Sequence, residues 1–250
     1  MSRQDYEAWY HAHNWSPSPA SGLVIETDLA PAAWIEPRLR ARSFEVGMTA
    51  PQGFEAYARI FFPFVADAEA DGKVSGQEQV SWTETARRNQ RVAHALMEQE
   101  TIQAPGQEAT CLNELPNEQL DALLSILTRH TTSAHGWFLL WDGFANLDER
   151  VFELQPKVRH PMRDFYLLSG ALTTYRNLPD DPNFWWPDDR AWCLSTDTDF
   201  CWAYVAGSAA CIGEVLSVPE LDAYETNPSN PARRGMDVIN DPHGTVPRTT

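Results

Sequence analysis

Pro182-Asn183-Phe184-Trp185-Trp186-Pro187-Asp188-Asp189-Arg190-Ala191-Trp192 is the densest signal in the chain, setting three of its ten tryptophans beside two aspartates and an arginine. It leads into residues 190–196, which read as a strand, so the aromatic part is expected as a loop at a sheet edge or rim. Two uses compete for it. Large aromatics next to a strand are ordinarily packing, and on that reading Trp185 or Trp186 plugs the end of the sheet, Pro187 fixes the bend and Arg190 pairs with a neighbouring acid. Aromatic loops are also contact surfaces, because flat amphipathic rings suit sugars and protein partners. Phe184, Trp185, Trp186, Asp188, Asp189 and Arg190 are therefore the candidate binding residues. The form that joins both uses has one tryptophan buried and the other exposed.

Downstream, Asp197-Thr198-Asp199-Phe200 turns the chain into a strand over residues 201–206, after which Gly207-Ser208 caps a helix with Ile212, Val215 and Leu216 facing inward. Pro219 stands early in a last helical turn. Residues 227–250 are rich in proline and poor in apolar side chains, and are expected as a disordered tail. Upstream, Gly136-Trp137-Phe138-Leu139-Leu140-Trp141 is apolar on both faces, the pattern of a strand buried on two sides. A strand over 162–168 closes at Ser169-Gly170, with a short helical segment over 171–176. Leu120, Leu123, Leu124 and Leu127 recur at helical spacing, so Asn117 opens a helix reaching His130. Ser81 and Glu84 form a capping box for a helix reaching about Met97.

Nearer the N-terminus, Leu23-Val24-Ile25 and Phe44-Glu45-Val46 read as short strands. In residues 54–62 strand geometry puts Ala56, Ala58, Ile60 and Phe62 on one face and Glu55, Tyr57, Arg59 and Phe61 on the other. Residues 66–80 read as an exposed loop, and 1–21 as an arm and flexible spacer. Strands that follow one another without regular intervening helices define an α+β class: a mainly antiparallel sheet with helices on one side, forming a single domain over 22–226 with flexible termini.

The 19 Lys and Arg against 35 Asp and Glu leave a formal charge of −16. Spread acidity argues against nucleic acid, whose phosphates need clustered cations. It fits a protein partner of basic character. No apolar run nears the ~18 residues of a membrane span, and the first residues lack the apolar core of a signal peptide, so the expected home is the cytoplasm and no membrane partner is expected. Cys111, Cys193, Cys201 and Cys211 lack metal or redox spacing and are expected as buried reduced thiols.

No nucleophile elbow, phosphate loop, dinucleotide fingerprint or zinc-protease pattern occurs, and no cofactor is implied. His11 and His13 lack a third ligand at matching spacing. Asp197-x-Asp199 is the weak metal candidate, since hard cations want several carboxylates. The leading expectation is a non-enzymatic protein-binding module of immunity or regulatory type, acting through the aromatic–acidic rim. The alternatives are a metal-dependent hydrolase or transferase using Asp188, Asp189, Asp197 or Asp199 with His135, and a sugar-binding protein using the paired tryptophans.

Gly53-Phe54-Glu55-Ala56-Tyr57-Ala58-Arg59-Ile60, residues 137–143 (WFLLWDG), residues 185–192 (WWPDDRAW) and Tyr204-Val205-Ala206-Gly207-Ser208 together resemble a bacterial family of actinobacterial type. The resemblance spans about residues 45–217 and implies one continuous domain, with no activity, cofactor or site attached. Where members of that family carry histidine-proline after the first motif, this chain has Phe62-Pro63, so no catalytic histidine is implied there. A looser likeness, by analogy only, is to acidic, tryptophan-rich immunity proteins of the SUKH type.

Overall fold

The computed structural model describes residues 14–40, 43–66, 79–106, 109–160 and 162–245. The His11/His13 pair, the arm aromatics Trp9 and Tyr10, and most of the expected 66–80 loop lie outside the described residues. In chain order the strands are β1 (Leu23–Ile25), β2 (Ala56–Phe61), β3 (Phe64–Ala66), β4 (Gln79–Val80), β5 (Ala109–Cys111), β6 (His135–Trp141), β7 (Phe165–Ala171), β8 (Phe184–Pro187), β9 (Cys193–Thr196), β10 (Trp202–Gly207) and β11 (Ala223–Thr226). The α-helices are α1 (Trp82–Arg88), α2 (Gln99–Ile102), α3 (Asn117–Leu127), α4 (Glu149–Phe152) and α5 (Ala209–Leu216). Eight strands form one sheet in the order β1-β7-β6-β8-β9-β10-β2-β11, and β4-β3-β5 form a small second sheet. Every strand pair is antiparallel, so the α+β class and the antiparallel sheet hold.

The opening stretch is a hairpin in the middle of this sheet. β8 pairs with β6 through Trp186 opposite Trp137 and Trp185 opposite Phe138, and with β9 through Trp185 opposite Leu194. The expected edge loop is thus an interior strand. Period-two alternation sends Trp185 to one face and Phe184 with Trp186 to the other, and all three are buried. Pro187 ends the strand, where its missing N–H costs least. Asp188, Asp189 and Arg190 make the turn, with Arg190 at φ 53°.

The two faces are covered differently. On the first, Ala58, Ile60, Phe138, Leu140, Leu168 and Trp185 meet Leu120, Leu123 and Leu127 of α3 and Ile212 and Val215 of α5 in one apolar core. Each fully buried side chain of this size contributes about 1.5–3 kcal/mol. Gly136 and Gly170 stand opposite each other in β6 and β7. A Cβ on Gly170 would meet the Gly22 carbonyl oxygen and Thr174 Oγ1 at 2.7 Å, so here glycine lies inside the strand, and β7 runs on past the expected stop at Ser169-Gly170.

On the second face no long helix packs. Trp34 and Ile35, from the 3-10 turns between β1 and β2, cover Leu139, Leu167 and Trp186. Val46, Ala50 and Ala232 cover Tyr57 and Tyr204. Phe44-Glu45-Val46 is not a strand: Glu45 bridges Pro231 and a 3-10 turn begins at Val46. The chain after Thr226, expected as disordered, is laid along this face over 227–245, with Ala232 and Asp237 buried.

Ser81 accepts from the Glu84 N–H at 3.0 Å as expected. The helix stops at Arg88, short of Met97, because Gln90 takes φ 56° and the Arg91 N–H returns to the Ala86 carbonyl. Met97 packs instead with Trp82, Phe61 and Phe64 against the small sheet. Cys111 and Cys201 are joined in a disulfide across 90 residues of sequence, which corrects the expectation of four reduced thiols; Cys193 and Cys211 are free and buried. The pair meets because Cys111 stands opposite Phe64 in β3, while the Cys201 carbonyl accepts from the Phe62 N–H two residues earlier. No helix among the described residues is long and apolar enough to cross a membrane.

Candidate functional site

A cavity of about 540 Å³ opens on the second face, within the size range of small-molecule sites. Its floor is sheet: Arg59 of β2, Phe184 of β8, Thr196 of β9 and Trp202 of β10. Its walls are residues 44–49, Trp82 of α1, 96–98 with Gln99 and Glu100 of α2, His160, Met162 and Arg163, and 231–236.

Arg59 is the group that alternation along β2 puts on this face between Tyr57 and Phe61. It is 4% exposed. Its guanidinium lies 3.6 Å from the Trp202 ring centroid and 4.5 Å from that of Phe61, a cation against two aromatic rings that meet edge to face. Nη1 donates to the Ala95 carbonyl at 2.7 Å, while Nε is buried with no hydrogen-bond partner. Among the described residues no carboxylate pairs with it. Desolvation pulls its pKa down to about 10, opposed by Tyr204 and Glu98, so it stays charged at neutral pH.

Arg59 belongs to a polar row across the sheet. Tyr204 stands opposite it in β10, and Ser195 stands opposite Tyr204 in β9. The hydroxyls of both are buried without partners, in a protein class where such groups are normally satisfied. Burial raises the Tyr204 phenol pKa, against the pull of Arg59.

Most of the other lining charges are partnered. Arg163 reaches Asp197 at 3.0 Å and Asp199 at 2.5 Å and lies over the Trp141 ring. Arg234 pairs with Glu100. Glu98 accepts the N–H groups of Gly235, Met236 and Asp237 at 2.9, 2.6 and 3.2 Å, which ties the C-terminal segment to the wall. Beside it the buried Asp237 carboxylate accepts from the Thr101 hydroxyl and meets His94 Nε2 at 2.8 Å. Despite desolvation, its hydrogen bonds to His94, Thr101 and Asn240 hold it well below the usual carboxylate range. Desolvation lowers the pKa of His160, which favours its neutral form.

Of the residues singled out from sequence, Phe184, Asp197 and Asp199 reach this cavity. Trp185 lies on the opposite face, 5.0 Å from Tyr175 and 5.5 Å from Trp192. Trp186 shares the face of Phe184 but packs edge-on to Trp34 at 5.6 Å. Asp188 and Asp189 sit at the far end of the β8–β9 hairpin from Asp197. Asp188 accepts from Trp137 Nε1 at 2.6 Å and meets His135 Nδ1 at 2.9 Å. Asp189 accepts from the Thr132 N–H and the Thr131 hydroxyl, each at 2.8 Å. Arg190 lies over the Trp34 ring at 5.4 Å. The two aspartate pairs therefore do not form one centre, and no three His, Cys, Asp or Glu side chains converge as a metal site among the described residues. Arg59 and Trp202 were passed over; the signal for the first was an arginine inside an otherwise apolar strand.

No protein-family model, curated protein or solved structure matches the chain.

Proposed function

We propose that this chain is a small-molecule-binding protein whose site is the cavity on the second sheet face. The observation that carries the reading is the cavity itself: about 540 Å³ walled largely by apolar and aromatic side chains, on a sheet face covered by short elements and irregular chain. A packed face forfeits dispersion contacts over unfilled space, and an apolar ligand of matching size restores them.

The rim reading, a protein partner at the Trp185–Arg190 corner, has less to support it. Its rings are core, and its two aspartates are already spent on Trp137, His135, Thr131 and Thr132. The metal-dependent hydrolase reading needs aspartates that stand at opposite ends of one hairpin. Cytoplasmic residence stays part of the proposal, and a thiol count on protein quenched inside cells tests it against the Cys111–Cys201 bridge, since disulfides persist in oxidising compartments.

Titration with Nile red, a neutral apolar dye, tests the site. Saturable one-to-one fluorescence enhancement is expected, weakened about tenfold or more by Met48→Trp, which fills the cavity from its wall. Absence of saturable binding by the unsubstituted protein, or equal binding by a folded Met48→Trp variant, overturns the reading.

A further inference from the structure

Resting on that cavity reading, we infer that the ligand is an organic carboxylate with an apolar body, its carboxylate seated on the in-plane edge of Arg59. Trp202 and Phe61, their centroids 6.4 Å apart and their planes at 69°, cover two adjacent sides of the guanidinium, and the donors left over are those of its in-plane edge. One terminal nitrogen of that edge is committed to the Ala95 carbonyl, and Nε is buried and unpartnered. Nη2, beside Nε, makes no hydrogen bond among the described residues. Two parallel N–H groups in one plane are the donor pattern that a planar carboxylate accepts bidentately. The charge balance agrees: Arg59 is in no ion pair among the described residues, Glu98 acting on it electrostatically without pairing, so a single negative charge suits the floor. Glu98, close enough to act on Arg59 electrostatically, disfavours a doubly charged head such as a phosphate monoester.

The rest of the cavity fits the other end of such a molecule. Phe184, Phe200, Phe165, Leu96 and Met162 line it with apolar surface. In a chain of formal charge −16, anions are repelled from most of the surface, so local cations set where one enters. Arg233 at the cavity mouth is exposed and in no ion pair among the described residues, which favours approach of a negative head there.

Calorimetric titration of the full chain with decanoate and phenylacetate, each beside its neutral amide, and with decyl phosphate tests the assignment. Saturable one-site binding of at least one carboxylate is expected, with its amide and decyl phosphate each weaker by about tenfold or more. Arg59→Met, verified as folded by circular dichroism, is expected to bind carboxylate and amide alike, with Arg59→Lys between the two. Should Arg59→Met fail to fold, the carboxylate-to-amide ratio in the unsubstituted protein still decides the matter. Amide binding equal to carboxylate binding, decyl phosphate binding as tight as decanoate, or a folded Arg59→Met that keeps the preference each overturns the inference while leaving the cavity reading standing if Nile red binds. Failure of these probes and of Nile red together overturns both.

Discussion

The two faces of the eight-stranded sheet are built from the same alternating strands, yet one is a dry core and the other holds a cavity. Under α3 and α5 the core is one apolar cluster, in which the leucine stripe of α3 joins Phe138 and Trp185 of the sheet and Ile212 and Val215 of α5. On the other face the strands present Arg59, Tyr204 and Ser195 in one row, and the covering chain is 3-10 turns, the short helices α1 and α2, and the segment 227–245. A helix stripe is a continuous apolar surface, whereas irregular chain must satisfy its own backbone groups and leaves gaps. The candidate site lies on the face that α3 and α5 do not cover.

The strongest way to break this contrast is to remove a side chain from the helix-covered face and ask whether the cavity notices. Phe138→Ala, fully buried in β6, is expected to cost about 3–5 kcal/mol in urea unfolding while leaving Nile red affinity unchanged. A loss of affinity as large as the loss of stability would show that the two faces act as one unit.

The second test works on the strap. Asp237→Ala removes the acceptor shared by Thr101, His94 and Asn240, and about 1–3 kcal/mol is expected to be lost, concentrated in faster amide exchange over 233–245. The pH dependence follows from the sign. The folded carboxylate is held below its unfolded value of about 3.9, so its stabilisation is present above that value and fades as pH falls below it. Protease cleavage in 233–245 should therefore rise on acidification before the main sheet unfolds.

The effect confined to one pH range is expected on the helix side, from Asp181. Burial, with Glu114 and Asp180 nearby, pushes its carboxyl up to about 7. A folded pKa above the unfolded one means that the folded state holds its proton longer. Stability is thus greatest below about pH 4 and falls as pH rises toward 7. Asp181→Asn is expected to flatten that slope, stabilising the protein at pH 8 and leaving it unchanged at pH 4. An unaltered slope in unfolding curves would place the titration elsewhere.

Legibility in the sequence followed the range of the interaction. The capping serines at 81 and 208 accept from the residues three positions on, as read, because a cap is decided within one turn of chain. The α3 stripe and the two-sided burial of β6 followed from periodicity. The Phe184-Trp185-Trp186 run misled because pairing partners decide whether an aromatic tripeptide is a loop or a strand, and β6 lies more than 40 residues upstream. The segment 227–245 misled for the converse reason: its composition lacks a core of its own, and Glu98 and Asp237 supply hydrogen bonds that no local pattern announces.

By itself the sequence determined the class of the protein, the helix at α3 and the alternation along β2, since alternation and helical spacing are properties of a few consecutive residues. Only the tertiary structure decided that Arg59 ends against Trp202 and Phe61 with no carboxylate paired to it among the described residues, that Cys111 meets Cys201, and that the tryptophan stretch is the centre of the sheet. Those outcomes depend on which distant segments cover which face, and coverage is settled by packing across the whole chain, not by any stretch of it.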